Sequence, residues 1–240
     1  MKNNLKIAID GPSAGGKGTL ARALAEEIGL VYADTGALYR AVGLYILRKG
    51  CDPYDAAAVE PFLREIEVKL EHAGGEQLVL LCGEDVSEKI RENEVSRYAS
   101  AVSAHPAVRE FLLDIQRSIA EAGGVVMDGR DIGTVIMPGA DVKIFLTADP
   151  QIRAERRWKE LVAKGQDISL EKVASDMKSR DEADSKRGVA PALPAPDAII
   201  LDNSSLTPPE TIARALAIVR DAGRGREEAQ TFWKKFDKNF

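Results

Sequence analysis

Apolar residues recur along the chain in two patterns that alternate with each other. Short, nearly continuous apolar runs are typical of strands buried on both faces, and they occupy residues 5–10, 30–33, 125–127, 142–147 and 198–202. Between these runs, apolar residues recur at the three- and four-residue spacing of amphipathic helices. Strands that alternate with helices predict an α/β fold in three α/β/α layers, around a parallel sheet of about five strands.

One region breaks this alternation. Residues 67–72 alternate between apolar and polar, and residues 77–82 follow after the pair Gly74-Gly75, which predicts an antiparallel hairpin. A third short strand is expected near Asp85. Such a sheet does not belong in a parallel core, so we interpret residues 60–90 as an insertion that forms a small lobe.

Cap residues predict where several helices begin. An aspartate followed by proline, at Asp52 and again at Asp149, predicts a helix with the aspartate as its cap and the proline in its first position. Ser169 is expected to cap the next helix. Thr207 and Glu210 fit a capping box at the start of the last one.

The first apolar run leads into a glycine-rich loop and then a helix; the loop is Gly11-Pro12-Ser13-Ala14-Gly15-Gly16-Lys17-Gly18-Thr19. Glycines let several backbone N–H groups approach a nucleotide's phosphates, and the helix directs its positive N-terminal end at them. Lys17 can reach the outer phosphates. The loop departs from the common Gly-x4-Gly-Lys-Ser/Thr pattern, because Gly18 precedes the hydroxyl residue Thr19. This ending resembles nucleoside monophosphate kinases more than GTPase switches, and predicts a P-loop NTPase-type fold.

Polar motifs follow two of the predicted core strands. Residues 34–40 are Asp-Thr-Gly-Ala-Leu-Tyr-Arg, and residues 128–134 are Asp-Gly-Arg-Asp-Ile-Gly-Thr. Ligands of open α/β sheets bind at the carboxyl ends of the strands, where both motifs are expected to lie. A structural turn rarely needs three charged residues, so we interpret the second motif as functional.

Arginines cluster on the two helices predicted after residues 142–147; they are Arg153, Arg156, Arg157, Arg180 and Arg187. In a chain of net charge -5, such local positive charge indicates a small anionic substrate rather than nucleic acid, although a solvated helix face is the alternative for any one arginine. Two such helices after one strand predict a lid over residues 150–190, whose arginines sit in solvent until it closes.

Composition excludes several other classes. The hydrophobic content of 45% supports a core, and no apolar run reaches the length of about 18 residues that a membrane span needs. The cysteines and histidines lack the spacing of a zinc site, so we interpret Cys51 and Cys82 as incidental thiols. The first residues lead directly into a strand without a signal peptide, which predicts a cytoplasmic protein.

Along nearly its whole length the chain resembles the bacterial cytidylate kinase family, and the motifs that carry the resemblance are residues 10–19, 34–40 and 128–134, and Arg180-Asp181 with Asp184 and Arg187. The loop alone is common to many phosphoryl-transfer enzymes, whereas the other motifs together are much more specific. The resemblance implies a single kinase domain over residues 1–223, with an acceptor-binding lobe over about 35–105 and a helical lid over about 150–190. It assigns no role to a polar tail over residues 224–240.

The resemblance also implies an activity and the residues that carry it. The family transfers the γ-phosphoryl group of ATP to CMP or dCMP. Residues 11–19 would hold the ATP phosphates, and the catalytic set would be Lys17, Arg130, Arg153 and Arg157. The implied substrate-binding set is Thr35, Tyr39, Arg40, Ser100, Arg109, Arg130, Asp131, Arg180, Asp184 and Arg187.

The resemblance also implies which part of the acceptor nucleotide each substrate-binding residue contacts. Tyr39, Arg40 and Arg130 would lie near the acceptor phosphate, and Thr35 stands where the family often has serine. Ser100, Arg109 and Asp131 would meet the cytosine. Arg180, Asp184 and Arg187 would contact the sugar or complete the closed site.

The chemistry of a monophosphate acceptor agrees with these residue types. A phosphate oxygen is already a nucleophile, so the protein has to supply positioning, charge neutralisation and exclusion of water. Mg²⁺ on the triphosphate is implied, with Thr19 and Asp128 as its candidate ligands, directly or through water. The expected partners are ATP and CMP or dCMP, without nucleic acid or membrane, and the protein is expected to be a monomer.

Three other functions are the alternatives to this one. A regulatory GTPase switch needs Asp-x-x-Gly and Asn-Lys-x-Asp strings, and neither occurs in the sequence. A small-metabolite kinase of the same fold, such as a shikimate-type enzyme, would lack the 128–131 motif together with Ser100 and Arg109. A kinase of another pyrimidine monophosphate, UMP or dTMP, stays open as an alternative.

Overall fold

The computed structural model describes residues 4–73 and 76–236, with the side chains of all of these except residues 76 and 223–236. The strands are β1 (Lys6–Asp10), β2 (Val31–Asp34), β3 (Val68–Ala73), β4 (Glu76–Leu81), β5 (Glu84–Asp85), β6 (Val125–Asp128), β7 (Val142–Thr147) and β8 (Ile199–Asp202). The α-helices are α1 (Lys17–Ile28), α2 (Thr35–Arg48), α3 (Ala56–Val59), α4 (Asn93–Val102), α5 (Pro106–Glu121), α6 (Pro150–Ala163), α7 (Leu170–Ser185) and α8 (Pro208–Phe236). Short 3₁₀ turns cover Glu60–Arg64 and Lys89–Arg91, and a π-helical turn covers Ile132–Ile136.

The core is a five-stranded sheet in the order β2-β6-β1-β7-β8, and all of its neighbouring pairs are parallel. The predicted α/β architecture is therefore confirmed. In the register, Asp34 lies opposite Asp128, and Asp128 lies opposite Ile9. Because β1, β2 and β6 are adjacent and each ends in aspartate, three carboxylates are carried to one edge of the sheet.

Helices cover both faces of this sheet. On one face α1 and α8 pack against β1 and β7, through side chains such as Leu24 and Val219. On the other face α5 and the π-helical turn pack over small and apolar strand residues, among them Ala8 and Met127. None of the helices formed by the described residues has the length and apolar character that crossing a bilayer requires.

The predicted small lobe is also confirmed. Strands β3, β4 and β5 form an antiparallel sheet in that order, and it packs with α2 and α4 around a separate apolar cluster. The predicted Gly74-Gly75 turn lies outside the described residues. Two side chains join this hairpin to the edge strand β2: Gln77 accepts from the backbone N–H of Asp34 at 2.8 Å, and His72 bonds the Tyr32 carbonyl at 2.7 Å.

Most of the predicted caps are found. Asp149 accepts from the N–H groups of Gln151 and Ile152, and Ser169 accepts from Lys172. At the last helix, both the N–H and the hydroxyl of Thr207 donate to Glu210, while the N–H of Glu210 makes a longer 3.4 Å contact to the Thr207 hydroxyl. Two side-chain caps and one capping box therefore begin α6, α7 and α8 as the sequence predicts.

Two expectations are wrong. Asp52 does not cap a helix, because its carboxylate accepts from the Tyr54 N–H within a turn, and Asp55 caps α3 instead. Strand β8 is not buried: it is the last strand in the sheet order, which leaves Ile199 and Ile200 about half exposed. Helix α8 runs on through most of the polar segment after residue 223 and ends at Phe236, and residues 237–240 lie outside the described part.

Candidate functional site

The carboxyl ends of β1, β2 and β6 open into a cavity of about 340 Å³. The glycine-rich loop forms one wall, the first turns of α2 form a second, and the 128–131 motif forms the floor between them. Arg180 and Asp184 of α7 close the remaining side. Six cationic and four carboxylate side chains line the cavity, which suits an anionic ligand.

The loop is held against the sheet by a position that only glycine can occupy. Gly11 has a φ of 147°, and a Cβ atom there would lie 2.0 Å from the carbonyl oxygen of Leu146 in β7. The helix α1 begins at Lys17, whose ammonium group donates to the Pro12 carbonyl at 2.7 Å. Burial, and then the charge of Arg130, lower the pKa of Lys17. The lysine therefore lies across the loop, and a bound anion would stabilise its charged form.

The hydroxyl of Tyr32 lies close to the glycine that follows this lysine. A Cβ atom at Gly18 would lie 3.2 Å from the Tyr32 hydroxyl, and that hydroxyl donates to Asp128 at 2.9 Å. The Arg22 guanidinium lies over the tyrosine ring, 5.4 Å from its centroid. Tyr32 is a site residue that the sequence analysis did not identify, because nothing in its own strand pattern marks it as more than a packing residue.

The two residues predicted to hold Mg²⁺ line the same cavity. Burial, and then the neighbouring carboxylate of Asp34, raise the pKa of Asp128, and the charge of Lys17 opposes this. The described residues contain no group of three or more His, Cys, Asp or Glu side chains that could hold a metal. One carboxylate and the Thr19 hydroxyl fit a Mg²⁺ ion that is carried in by substrate phosphates, because Mg²⁺ usually takes few protein ligands in such sites.

A second group of cations faces the loop across the cavity. Arg130 donates to Asp184 at 3.1 Å, and Arg40 donates to the Ser96 hydroxyl at 2.7 Å and to the Ile90 carbonyl. The Nε atom of Arg180 is buried and finds no hydrogen-bond partner among the described residues. Burial, and then the charge of Arg130, lower the pKa of Arg180 to about 10. A bound anion would therefore be favoured here, because it would pair with Arg180 and reduce the repulsion between the two arginines.

In the lining of the same cavity, Arg109 and Asp131 form a buried ion pair of 2.5 Å. The Arg109 guanidinium also lies 5.4 Å from the centroid of the Tyr39 ring. Ser100 does not belong to the described lining of the cavity, whereas Ser103, one helical turn further on, does. The two serines are linked, since the Ser103 hydroxyl donates to the Ser100 carbonyl at 2.8 Å.

Asp10 fixes the motif that carries these residues. Its carboxylate accepts from the N–H groups of Ile132 and Gly133, at 2.8 and 2.7 Å, at the start of the π-helical turn. Burial, which these two hydrogen bonds partly offset, raises the pKa of Asp10 to about 6. The sequence analysis included Asp10 in its loop motif without a role, because its partners lie more than 120 positions away.

The predicted arginine lid differs from its expectation. Arg153 is 6% exposed, and it donates to the carbonyls of Ala148 and Ser13 and pairs with Asp181. Arg156 donates to the side chain and the carbonyl of Asn203. The expectation that these arginines sit in solvent is therefore wrong for both, because each has buried polar partners.

Arg157 comes nearer to the expectation. It pairs with Glu160 and keeps about a third of its side chain exposed. Neither Arg153 nor Arg157 belongs to the described lining of the cavity, so their catalytic roles stay predictions. Gly11, Pro12 and Ser13 of the loop are also absent from this lining. The other predicted site residues do line the cavity; they are Ala14, Gly15, Gly16, Lys17, Gly18, Thr19, Thr35, Tyr39, Arg40, Arg109, Asp128, Arg130, Asp131, Arg180, Asp184 and Arg187.

Comparison with known proteins gives consistent matches. Residues 7–221 match the family model for cytidylate kinase. A cytidylate kinase of Desulfitobacterium hafniense is 48% identical over 92% of this chain and 95% of its own length. One of Caldicellulosiruptor bescii is 45% identical over 89% of this chain and 95% of its own. Among solved structures, an uncharacterized protein from Eubacterium ventriosum has a TM-score of 0.52 at 12% identity, over 91% of this chain and 99% of its own, which is a likeness of fold alone.

Proposed function

The chain belongs to the cytidylate kinase family, and we propose that its cavity transfers the γ-phosphoryl group of ATP to CMP or dCMP. The products are CDP or dCDP and ADP. The observation that carries this proposal is that the phosphate loop and the buried Arg109–Asp131 pair line one cavity. A cavity that combines a phosphate site with a buried polar pair able to recognise a base suits a nucleotide acceptor.

The donor phosphates occupy the loop of residues 11–19. Its backbone N–H groups and the start of α1 bind the phosphate oxygens, and Lys17 leaves the Pro12 carbonyl to neutralise the transferring group. A smaller cavity of about 170 Å³ adjoins the loop at Gly16 and Thr19, and Arg156 and Asn203 line it. This smaller cavity accepts the base of ATP. The planar guanidinium of Arg156 is held in place by two hydrogen bonds, so it offers a surface on which the base can stack.

The acceptor phosphate lies between Arg40, Arg130 and Arg180. The unpartnered Nε atom of Arg180 gains a hydrogen bond there, and the mutual repulsion of the cations is relieved by the anion. Placed so, the attacking oxygen faces the loop across the cavity. The protein then contributes positioning and charge neutralisation without a nucleophilic side chain.

The cytosine lies at the Arg109–Asp131 end. The Oδ2 atom of Asp131 receives Arg109, so its Oδ1 atom can accept from the N4 amino group of cytosine. The guanidinium can donate to N3, and Ser103 is the serine that lines this end. Uracil presents the opposite groups at both positions, which leaves buried polar atoms unpaired.

Thr19 and Asp128 would hold the Mg²⁺ of the triphosphate, directly or through water, and the ion would supply further charge neutralisation. The Tyr32 hydroxyl orients the Asp128 carboxylate through a hydrogen bond, and the positive charge of Lys17 partly neutralises it. We further propose that the protein acts in the cytoplasm as a monomer.

A coupled assay of ADP formation with ATP, Mg²⁺ and a panel of acceptors tests this function. CMP and dCMP are expected to be turned over much faster than UMP, dTMP and shikimate. Preferred turnover of UMP or dTMP would indicate the other pyrimidine kinase, and preferred turnover of shikimate would indicate a small-metabolite kinase. A Lys17→Ala variant in the same assay controls for contaminating kinases.

A further inference from the structure

A four-bond network joins the phosphate loop to the helix α7. The carboxylate of Asp181 accepts from the N–H and the hydroxyl of Ser13, at 2.9 and 2.7 Å. Arg153 pairs with the same carboxylate at 2.5 Å and also donates to the Ser13 carbonyl at 3.0 Å. Every polar group of Ser13 is therefore engaged by α6 or α7.

Apolar packing contributes little to this junction. Of the sixteen residues in α7, only Val173 and Asp184 are buried. A second cavity of about 620 Å³ lies between this helix, α6 and the end of β7, and Arg153 and Asp181 line it. Because the space beside the helix is not filled by side chains, the contact of Asp181 with the loop depends on polar bonds.

The same helix reaches into the acceptor end of the main cavity. Arg180 precedes Asp181 in the chain, and Asp184 follows it by less than one turn. Both line the main cavity, where Asp184 pairs with Arg130. A rigid helix therefore carries one residue on the donor loop and two in the acceptor site.

We propose that Asp181 is a positioning residue that couples the two halves of the site, so that binding of donor phosphates at the loop orders Arg180 and Asp184 for the acceptor. The inference rests on the proposed function for the identities of the donor and the acceptor. Asp181 itself contacts the loop and not the reacting groups.

The charge state of Asp181 agrees with this role. Burial acts to raise the pKa of its carboxyl group, but the hydrogen bonds from Ser13 and Arg153 outweigh burial and lower the pKa. The residue is therefore a charged acceptor at neutral pH. Hydrogen bonds to a charged group are stronger than those between neutral groups, and their loss is enough to change the coupling by about tenfold.

Hydrogen exchange of α7 amides tests the coupling without reference to the acceptor. In the wild type, a non-hydrolysable ATP analogue with Mg²⁺ is expected to slow exchange over residues 170–185 by about tenfold or more. Asp181→Ala should reduce that protection to less than about twofold. The matched control is Asp176→Ala, which removes an exposed pair with Lys172 on the same helix and should leave the protection unchanged.

Ser13→Ala provides a second variant, which keeps the backbone bond and removes the hydroxyl bond. It should weaken the protection partly, and it should have no further effect when Asp181 is already alanine. Unchanged protection in both single variants, with analogue binding intact, would overturn the inference.

Calorimetry with CMP separates this inference from the proposed function. In the wild type the ATP analogue should tighten CMP binding by about tenfold, and in Asp181→Ala it should leave the CMP dissociation constant nearly unchanged. CMP affinity without the analogue should be similar in both proteins. A wild type that binds no CMP yet shows analogue-dependent protection of α7 would contradict the function and support the coupling.

Discussion

The carboxylate of Asp10 accepts a 2.7 Å hydrogen bond from the backbone N–H of Gly133, although 123 positions separate the two residues. Asp10 ends the central strand and leads into the phosphate loop, while Gly133 lies just after the pair Arg130 and Asp131. This bond therefore fixes the acceptor-binding motif relative to the donor loop. It also buries a carboxyl group that would otherwise be hydrated, which makes the junction dependent on pH.

Asp10→Asn should change how stability depends on pH. Folding raises the pKa of Asp10 from 3.8 to about 6. Its protonated form therefore adds to the free energy of unfolding, fully below about pH 4, and this contribution is lost as the pH rises through about 6. Between pH 5 and pH 8 the wild type should lose roughly 1–1.5 kcal/mol relative to the asparagine variant. Urea unfolding of both proteins at several pH values measures this difference. Parallel stability curves across that range would show that Asp10 titrates normally.

Lys17→Ala should lower kcat by about a hundredfold or more, because the transferring group loses its buried cation. The fold should persist, since the ammonium group bonds only the Pro12 carbonyl of its own loop among the described partners. Steady-state kinetics and far-UV circular dichroism measure the two effects. Near-normal turnover in a folded variant would remove Lys17 from the catalytic set.

Arg180→Ala should weaken binding of the acceptor CMP more than binding of the donor ATP. Loss of a charge-assisted contact to the acceptor phosphate is expected to raise the KM for CMP by about tenfold to a hundredfold. The KM for ATP should change much less. Arg97→Ala is the matched control, because its exposed side chain pairs only with Glu94 among the described ion pairs. Equal increases in both KM values would place Arg180 outside the acceptor site.

Gly43→Ala tests the packing of the acceptor lobe. A Cβ atom at Gly43 would lie 2.7 Å from the backbone nitrogen of Ala99, where α2 crosses α4. The resulting strain should destabilise the protein by about 1–3 kcal/mol, even though alanine favours helix over glycine. Gly139→Ala is the control, since a Cβ atom there meets open space. Thermal unfolding of the two variants measures the difference, and an unchanged Gly43 variant would show that the helices can separate without cost.

Local patterns in the sequence were enough to predict the core strands, the phosphate loop and most helix caps. These features depend on periodicity and on partners a few residues away. Asp52 shows the limit of such patterns, because an aspartate can bond its own turn as readily as a helix end. Strand β8 shows another limit, since an apolar run does not indicate whether its strand is central or at an edge.

Long-range contacts decided the rest of the site. Tyr32 lies in unremarkable local sequence, and Asp181 belongs to a motif that assigned it no role. Their partners Asp128 and Ser13 are distant in the chain. Arg153 carries the charge expected of a lid arginine, but its environment is set by Asp181, which lies 28 positions further on. The sequence therefore showed which side chains are charged, but only the folded structure shows which of them line the cavity.

The ratio of kcat/KM for CMP to that for UMP, measured in the wild type and in Asp131→Ala, tests the central claim most directly. The wild type should prefer CMP by at least about a hundredfold, because uracil leaves buried polar groups unpaired. Asp131→Ala should lose most of its activity with CMP, since it removes the acceptor for N4 and leaves Arg109 buried without its carboxylate. Equal use of UMP and CMP by the wild type, or unchanged CMP kinetics in the variant, would contradict the account.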